Sequence, residues 1–310
     1  MNRKRSDEVN NKALEERLRY AVTNDDLQTV KRLLKGGVAT TSQYWFDGSL
    51  LHEAVGRSRE EMVRLLIQGK ANVNAKSKDG RTALHVACRI GNEAIVDQLI
   101  KGGADINAKS KDYRTCLHVA AWKNKVNIVK KLVDAGAKVN VKDDDLWMPL
   151  HWAANLNAME SAEYLIKNGA IINAADKRGK LPIHEAAAGS HTDIIKLLIR
   201  HGSNVQTISK DGSIISLFRN DIPKDIIPIV VGAGFNIQQD KYNWKYRNLH
   251  TDIEREQKNK SLVEICRIVI RRILIRCSRG RSILNSIDEL PLPLTVKGFV
   301  HLEDLLDSTE

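Results

Sequence analysis

Five histidines recur at one constant spacing, and they have the clearest potential for chemistry in this sequence. Each lies 33 residues from the next, as from His52 to His85, and the others are His118, His151 and His184. Imidazole can act as a metal ligand or as a general acid or base. A metal site needs its ligands close together, whereas this spacing places each histidine in a separate structural unit. We therefore expect structural histidines, and no catalytic residue, metal site or cofactor.

The cysteines do not change this expectation. Cys88, Cys116, Cys266 and Cys277 form no Cys-x-x-Cys pair and lack zinc-ligand spacing, so neither a disulfide framework nor a zinc site is expected. The sequence also lacks a glycine-rich phosphate loop and a Gly-x-Ser-x-Gly motif. No stretch is apolar enough to span a bilayer, and no apolar run follows the basic N-terminus. We expect a non-enzymatic protein of a reducing compartment, the cytoplasm, with the nucleus left open.

The segments around the histidines indicate which elements must position them. Leu or Ile precedes each histidine, and Ala follows two residues after it. The five segments are 49–54, 82–87, 115–120, 148–153 and 181–186. A second apolar run then follows in most units, as at Ile95, Val96, Leu99 and Ile100. This spacing is typical of one apolar helical face, so each unit is predicted to be a pair of helices.

Glycine and asparagine mark the ends of the units. The second apolar run stops at a glycine, which can adopt the left-handed conformation that ends a helix. These glycines are Gly103, Gly136, Gly169 and Gly202, and Lys70 takes their place in one unit. An asparagine and a polar stretch suited to a tight hairpin follow. One helix pair cannot bury its own apolar face, so the pairs are predicted to stack as a solenoid with atypical end units.

The period and the variants of Thr-Pro-Leu-His-x-Ala resemble the ankyrin repeat. The resemblance covers roughly residues 13–240, about seven units with degenerate ends. It implies an all-α fold, an ankyrin-repeat solenoid of helix pairs with β-hairpin loops. It also implies that Thr and His side chains form hydrogen bonds within and between repeats, and that the array binds other proteins.

A different pattern follows the repeats, after a polar segment at 241–259 that is either a linker or a degenerate repeat. Ser261 is suited to cap a helix, because Glu264 three residues later completes a capping box. Apolar residues then recur on one helical face, with arginines on the other. Pro291 and Pro293 enforce an extended turn before a last short helix.

Two motifs in this region resemble the SOCS box of the suppressor-of-cytokine-signalling family. Ser261, Leu262, Cys266 and Ile270 match its elongin-binding box. The segment 290–299 matches its cullin box, with Phe299 where the family more often has Tyr. Both motifs in this order behind ankyrin repeats resemble the ankyrin repeat and SOCS box family. The predicted segments are a polar tail at 1–12, repeats at 13–240, a three-helix SOCS box at 260–302 and an acidic tail at 303–310.

The resemblance implies a substrate-recognition adaptor of a ubiquitin ligase. The residues expected to bind elongin C, the partner of elongin B, are Ser261, Leu262, Ile265, Cys266, Val269 and Ile270. Those expected to bind cullin-5, which carries a RING-box protein, are Leu290, Pro291, Leu292, Pro293, Val296 and Phe299. Such an adaptor needs no catalytic residue, because it raises the concentration of its target near a ubiquitin-charged enzyme.

A basic stripe is the predicted target-binding face. Variable positions on the concave side of ankyrin repeats fall here on Arg81, Arg89, Arg114, Trp122, Lys123 and Trp147. Exposed tryptophan among cations is typical of an interface anchor. The stripe predicts a target that presents an acidic segment with an apolar anchor. The alternative is that Lys and Arg only keep the hairpins soluble.

Two other function classes remain. One is a plain ankyrin scaffold whose tail is only a cap. The other is nucleic-acid binding, prompted by the net charge of +11 and the basic run from Arg267 to Arg281. Most of that run lies on a helix whose apolar face matches the elongin-binding box, and no nucleic-acid motif is present. Nucleic acid and membrane are therefore not expected partners.

Overall fold

The computed structural model describes residues 2–40, 48–218, 222–223 and 225–235 of the chain, with side chains from residue 11 onward. Thirteen α-helices lie in these ranges. They are α1 (Asn2–Thr23), α2 (Leu27–Lys35), α3 (Leu50–Gly56), α4 (Glu60–Gln68), α5 (Ala83–Ile90), α6 (Glu93–Lys101), α7 (Cys116–Trp122), α8 (Val126–Asp134), α9 (Pro149–Asn155), α10 (Met159–Lys167), α11 (Pro182–Ala188), α12 (Thr192–Arg200) and α13 (Ile226–Gly232). None of these helices combines the length and the apolar composition that crossing a membrane requires.

The described residues belong to two compact units, which divide between Lys138 and Val139. The first unit contains the helix pairs α1–α2, α3–α4, α5–α6 and α7–α8. Within it the first helices of successive pairs pack on one another, and so do the second helices. Leu84, Leu99 and Leu117 are fully buried between them, and burial of one such side chain contributes about 2 kcal/mol.

The second unit contains the pairs α9–α10 and α11–α12, followed by α13. Helix α9 packs on α11, α10 packs on α12, and α12 packs on α13. Between α12 and α13, the described residues include no α-helix, and residues 214–217 form only a turn. There the Ser213 hydroxyl accepts a hydrogen bond from the Ser216 amide, a local bond that competes with helix formation. This segment lies within the range 13–240 predicted to hold repeats with degenerate ends, which stays a prediction.

The hairpins between repeats are tight turns. Each is closed by two backbone bonds across the turn, for example from the Ser77 amide to the Arg81 carbonyl at 2.8 Å and from the Gly80 amide to the Ser77 carbonyl at 2.9 Å. Within the described ranges no residue lies in a β-strand, and an isolated antiparallel bridge joins Ser209 and Gly212. The hairpin loops are thus present as turns that leave the architecture all-α.

Left-handed backbone recurs at three places in each repeat. It ends the second helix, as the sequence predicts, at Gly103 with φ 85° and at Lys70 with φ 60°. It also occurs in the loop between the two helices and at the hairpin tip. At the other end of the array, α1 begins at Asn2 and so extends into the segment predicted as a polar tail.

Candidate interaction surfaces

The repeated histidines form hydrogen bonds to the backbone through their ring nitrogens. In each of these repeats Nδ1 accepts a hydrogen bond from the backbone amide that caps the same helix, at 3.0–3.1 Å. Nε2 then carries the proton, and at His52, His85 and His184 it donates to a backbone carbonyl further along the chain. In the first unit His52 bonds the Arg81 carbonyl at 3.0 Å and His85 the Arg114 carbonyl at 3.1 Å. Hydrogen bonding of Thr and His within and between repeats is confirmed.

Burial keeps several of these imidazoles neutral. It lowers the pKa of His52 and of His184, although each ring also bonds a backbone carbonyl that acts in the opposite direction. The effect is larger at His151, where burial lowers the pKa from 6.5 to about 4. A neutral ring is needed here because a protonated Nδ1 could no longer accept from the capping amide. These histidines are buried and therefore serve the structure of the repeats.

The asparagine that recurs in the repeats joins successive hairpins. In the first unit the Asn74 amide donates to the Gly103 carbonyl at 3.1 Å, and its oxygen accepts from the Asp105 amide at 2.7 Å. In the second unit Asn173 makes the same pair of bonds, to the Gly202 carbonyl at 3.0 Å and from the Asn204 amide at 2.8 Å. The sequence marks these asparagines by their period but not by their partners.

An open groove of about 730 Å³ lies in the first unit. Arg19 and Tyr20 line it from α1, Arg81 from a hairpin and Arg89 from α5, and Tyr20 is 72% exposed. Acidic side chains also line it, including Glu53. Arg81 and Arg89, both predicted to bind the target, are thus brought together. The contribution of α1 was missed, because α1 lacks the histidine motif on which the prediction rested.

The other predicted target residues of the first unit lie in α7 or next to its ends. Trp122, the last residue of α7, is 37% exposed. Lys123 places its Nζ 3.8 Å from the centre of the Trp122 ring, a cation–π contact. Arg114 is half-buried in the hairpin before α7. An exposed indole beside a cation is therefore present, as the sequence predicts.

Trp147, in the second unit, differs from the expectation of an exposed indole. It is half-buried, and its ring stacks on His151 and meets Trp152 edge-on. Its Nε1 donates to the Asp176 carboxylate at 3.1 Å. Because Asp176 is buried, this bond satisfies a carboxylate that the solvent reaches poorly. The contacts stabilise the repeat, and a role in target binding stays a prediction.

A charge network joins the hairpin at 176–180 to the next hairpin, at 209–212, in the second unit. Lys180 bridges Glu185 at 3.1 Å and Asp211 at 3.0 Å, and Arg178 also pairs with Asp211. Burial would lower the pKa of Lys180, but the two carboxylates outweigh it and raise the pKa. The Asn155 amide donates to the other Glu185 oxygen at 3.0 Å. Because its members neutralise one another, the network serves packing.

Groups suited to covalent or metal chemistry are not assembled in the described ranges. His, Cys, Asp and Glu side chains there form no group that could hold a metal ion. Cys88 and Cys116 are buried free thiols of the first unit, and burial raises the pKa of Cys116 well above its ordinary value. A raised pKa makes the Cys116 thiol a poor nucleophile. Buried free cysteines such as these two pack as small apolar side chains.

Comparison with protein families accounts for both parts of the chain. A family model of ankyrin repeats matches residues 18–110 and 117–209, which together are more than half of the chain, and a SOCS box model matches residues 260–301. The chain is an ankyrin-repeat and SOCS-box protein. No curated protein matches its sequence.

The SOCS box of this ankyrin-repeat and SOCS-box protein lies outside the described residues, and so do its predicted contact residues. They are Ser261, Leu262, Ile265, Cys266, Val269, Ile270, Leu290, Pro291, Leu292, Pro293, Val296 and Phe299. The segments predicted at 241–259 and 303–310 also lie outside.

Proposed function

We propose that this protein is the substrate-recognition adaptor of an elongin B/C–cullin-5–RING ubiquitin ligase. The observation that carries the proposal is a SOCS box at residues 260–301 behind an ankyrin array. A SOCS box indicates an elongin B/C and cullin adaptor, and ankyrin repeats indicate protein binding. The adaptor contributes no catalytic residue to the ligase.

The two ends of the chain have separate tasks in this proposal. Leu262 and Cys266 enter an apolar pocket of elongin C, with Ile265 and Val269 beside them on the same helical face. The segment 290–293 selects cullin-5. The bound target is thereby held near the ubiquitin-charged enzyme, and proximity raises its rate of modification.

The target side of the proposal rests on the first unit. Arg81 and Arg89 line one groove with Tyr20, and Trp122 presents an exposed ring beside Lys123. No ion pair involves Arg81 or Arg89 among the described residues. Cations without acidic partners beside aromatic rings favour an acidic segment with an apolar anchor.

Co-purification with elongins B and C tests the adaptor function. The wild type is co-expressed with both elongins and compared with a variant in which Leu262→Asp and Cys266→Asp are combined. We expect the wild type to retain both elongins and the variant to lose them, because two charges cannot enter an apolar pocket. Arg271→Ala, on the predicted opposite face of the same helix, is the matched control and should retain them.

Equal recovery of the elongins by wild type and double variant, or no recovery by wild type, would reject the adaptor function and favour a plain ankyrin scaffold.

The choice of cullin is tested with a second variant. Replacement of residues 290–293 by alanine should remove cullin-5 from the wild-type assembly and leave the elongins bound. Loss of the elongins as well, or binding of cullin-2 in preference to cullin-5 by the wild type, would contradict cullin-5 selection.

A further inference from the structure

Two neighbouring hairpins of the first unit have the same sequence except at one position. Residues 76–81 read Lys-Ser-Lys-Asp-Gly-Arg, and residues 109–114 read Lys-Ser-Lys-Asp-Tyr-Arg. The one difference places Tyr113 where the first hairpin has Gly80. Both residues have positive φ, 57° at Tyr113 and 71° at Gly80. The chain therefore provides its own comparison for what a tyrosine does at this tip.

Left-handed backbone is unfavourable for a residue with a side chain, because Cβ approaches the following carbonyl oxygen. Close packing also favours glycine at position 80, because a Cβ there would lie 2.9 Å from the Lys111 amide nitrogen. Of the equivalent tips in the second unit, two use Gly179 and Gly212, with φ 79° and 127°, and one uses Leu146, with φ 62°. Glycine is thus the residue that the hairpin geometry favours, and Tyr113 needs another explanation.

Packing within the array does not explain the tyrosine at position 113. Tyr113 is 54% exposed, so most of the gain from burying an aromatic ring is not realised in this chain. Small or polar residues occupy most of the other described positions with positive φ, such as Asp25, Ser58 and Asn124. Large apolar side chains occur at two of them, Tyr113 in the first unit and Leu146 in the second, where Leu146 is 36% exposed. Strained backbone combined with an exposed apolar side chain is typical of binding sites.

The surroundings of Tyr113 are strongly basic. The Lys111 amide donates to the Asp79 carbonyl at 2.9 Å, which joins the two hairpins. Their cations are Lys76, Lys78, Arg81, Lys109, Lys111 and Arg114, against the two acids Asp79 and Asp112. Lys109 holds its Nζ 5.3 Å from the centre of the Tyr113 ring. The joined hairpins therefore present an aromatic ring within an excess of positive charge.

We propose that Tyr113 is a target-contacting residue, and that the two joined hairpins bind an acidic peptide segment whose apolar side chain packs on the Tyr113 ring. The hairpin cations attract the carboxylates of the peptide, and the Tyr113 ring contacts the apolar side chain between them. This inference rests on the proposed function, since it specifies what the target presents. It adds to the predicted target residues one that the histidine motif does not mark.

Two synthetic peptides test the inference. One contains only Glu and Asp, and the other has the same length with one central Phe. Binding of both to the full chain is measured by fluorescence anisotropy for wild type, Tyr113→Gly, Tyr113→Phe and Lys111→Gln. Tyr113→Gly makes the two hairpins identical and relieves the strained backbone, so its melting temperature should equal that of wild type or exceed it by about 2 °C.

The Phe-containing peptide should bind Tyr113→Gly about tenfold more weakly than wild type, and Tyr113→Phe should restore the affinity. The all-acidic peptide should not distinguish Tyr113→Gly from wild type but should bind Lys111→Gln more weakly. Equal affinity of wild type and Tyr113→Gly for the Phe-containing peptide would overturn the inference, as would no binding by wild type. A marked fall in melting temperature for Tyr113→Gly would do the same, because it assigns Tyr113 to stability.

A single-stranded oligonucleotide of matched charge serves as the competing probe. Tighter binding of the oligonucleotide that depends on Tyr113 would replace the acidic peptide by nucleic acid and overturn the inference. Elongin B and C capture is measured on the same preparations and should be equal for wild type and Tyr113→Gly. Absence of elongin from both would reject the adaptor function while the peptide data still decide the role of Tyr113.

Discussion

A buried imidazole that accepts at Nδ1 and donates at Nε2 is suited to an interior position only while it is neutral. His52 shows the arrangement in full, with the Ser49 amide as donor to Nδ1 and the Arg81 carbonyl as partner of Nε2. Protonation would place a hydrogen on Nδ1 opposite another N–H group. The same ring that links two repeats at neutral pH therefore becomes a source of instability in acid.

Stability should fall as the pH falls from 6.5 toward 4. A histidine with lowered folded pKa binds its proton more tightly in the unfolded chain, so its contribution is complete above 6.5 and is lost on acidification. For His151, whose pKa is lowered to about 4, the loss approaches roughly 3 kcal/mol at the lower end of this range. Thermal unfolding from pH 7 to pH 4.5 should show a smaller decline for His151→Gln than for wild type. Parallel declines would contradict a neutral buried His151.

The two tryptophans of the predicted binding face should respond differently to replacement. Trp147→Ala removes the stacking on His151 and leaves the buried Asp176 without one donor, so we expect a loss of about 3 kcal/mol in the free energy of unfolding. Trp122→Ala, at an exposed position, should cost less than about 1 kcal/mol. Urea unfolding of both variants makes the comparison, and similar losses would argue against the different placements.

Helix pairs depend on links that run from one hairpin to the next. The asparagine bridge does this with one side chain that donates to a carbonyl and accepts from an amide two residues further on, as Asn74 does with Gly103 and Asp105. Neither backbone group has a helical or strand partner in that position, so removal of the bridge leaves both to solvent or unsatisfied.

Asn173→Ala should therefore lower the free energy of unfolding by about 2 kcal/mol, since it removes two inter-repeat bonds at a half-buried position. Asn168→Ala is the control, because the Asn168 amide bonds only the Tyr164 carbonyl of its own helix and is exposed. Circular dichroism at increasing urea gives both values. A loss at Asn168 equal to that at Asn173 would show that the bridge is not what stabilises this junction.

Repeats that are stabilised by their nearest neighbours should tolerate loss of a segment outside the repeats. A chain truncated after residue 259 lacks the SOCS box but keeps every described repeat. We expect its melting temperature to stay within about 2 °C of the full chain, while elongin B and C no longer co-purify, because nearest-neighbour contacts determine repeat stability. A large fall in melting temperature would show that the array needs residues 260–310.

Features of the fold and of the candidate surface could be predicted from the sequence where the spacing of nearby residues determines them. The positive φ of Gly103 follows from its place after an apolar run, and the exposure of Trp122 follows from its place at the end of a first helix. Tyr113 could have been found by comparing the hairpins, since Gly80 stands at its equivalent position. Trp147 could not be placed in this way, because its partner Asp176 lies in the next repeat and nothing local indicates the contact.

The sequence alone determined the repeat, the all-α class and the SOCS box, because each depends on short motifs at constant intervals. The tertiary structure was needed to show that the asparagines bridge hairpins and that Trp147 supports packing. It also placed Arg19 and Tyr20 of α1 in one groove with Arg81 and Arg89. The two residues of α1 lie far in sequence from the two arginines, and only the stacking of helix pairs brings them together.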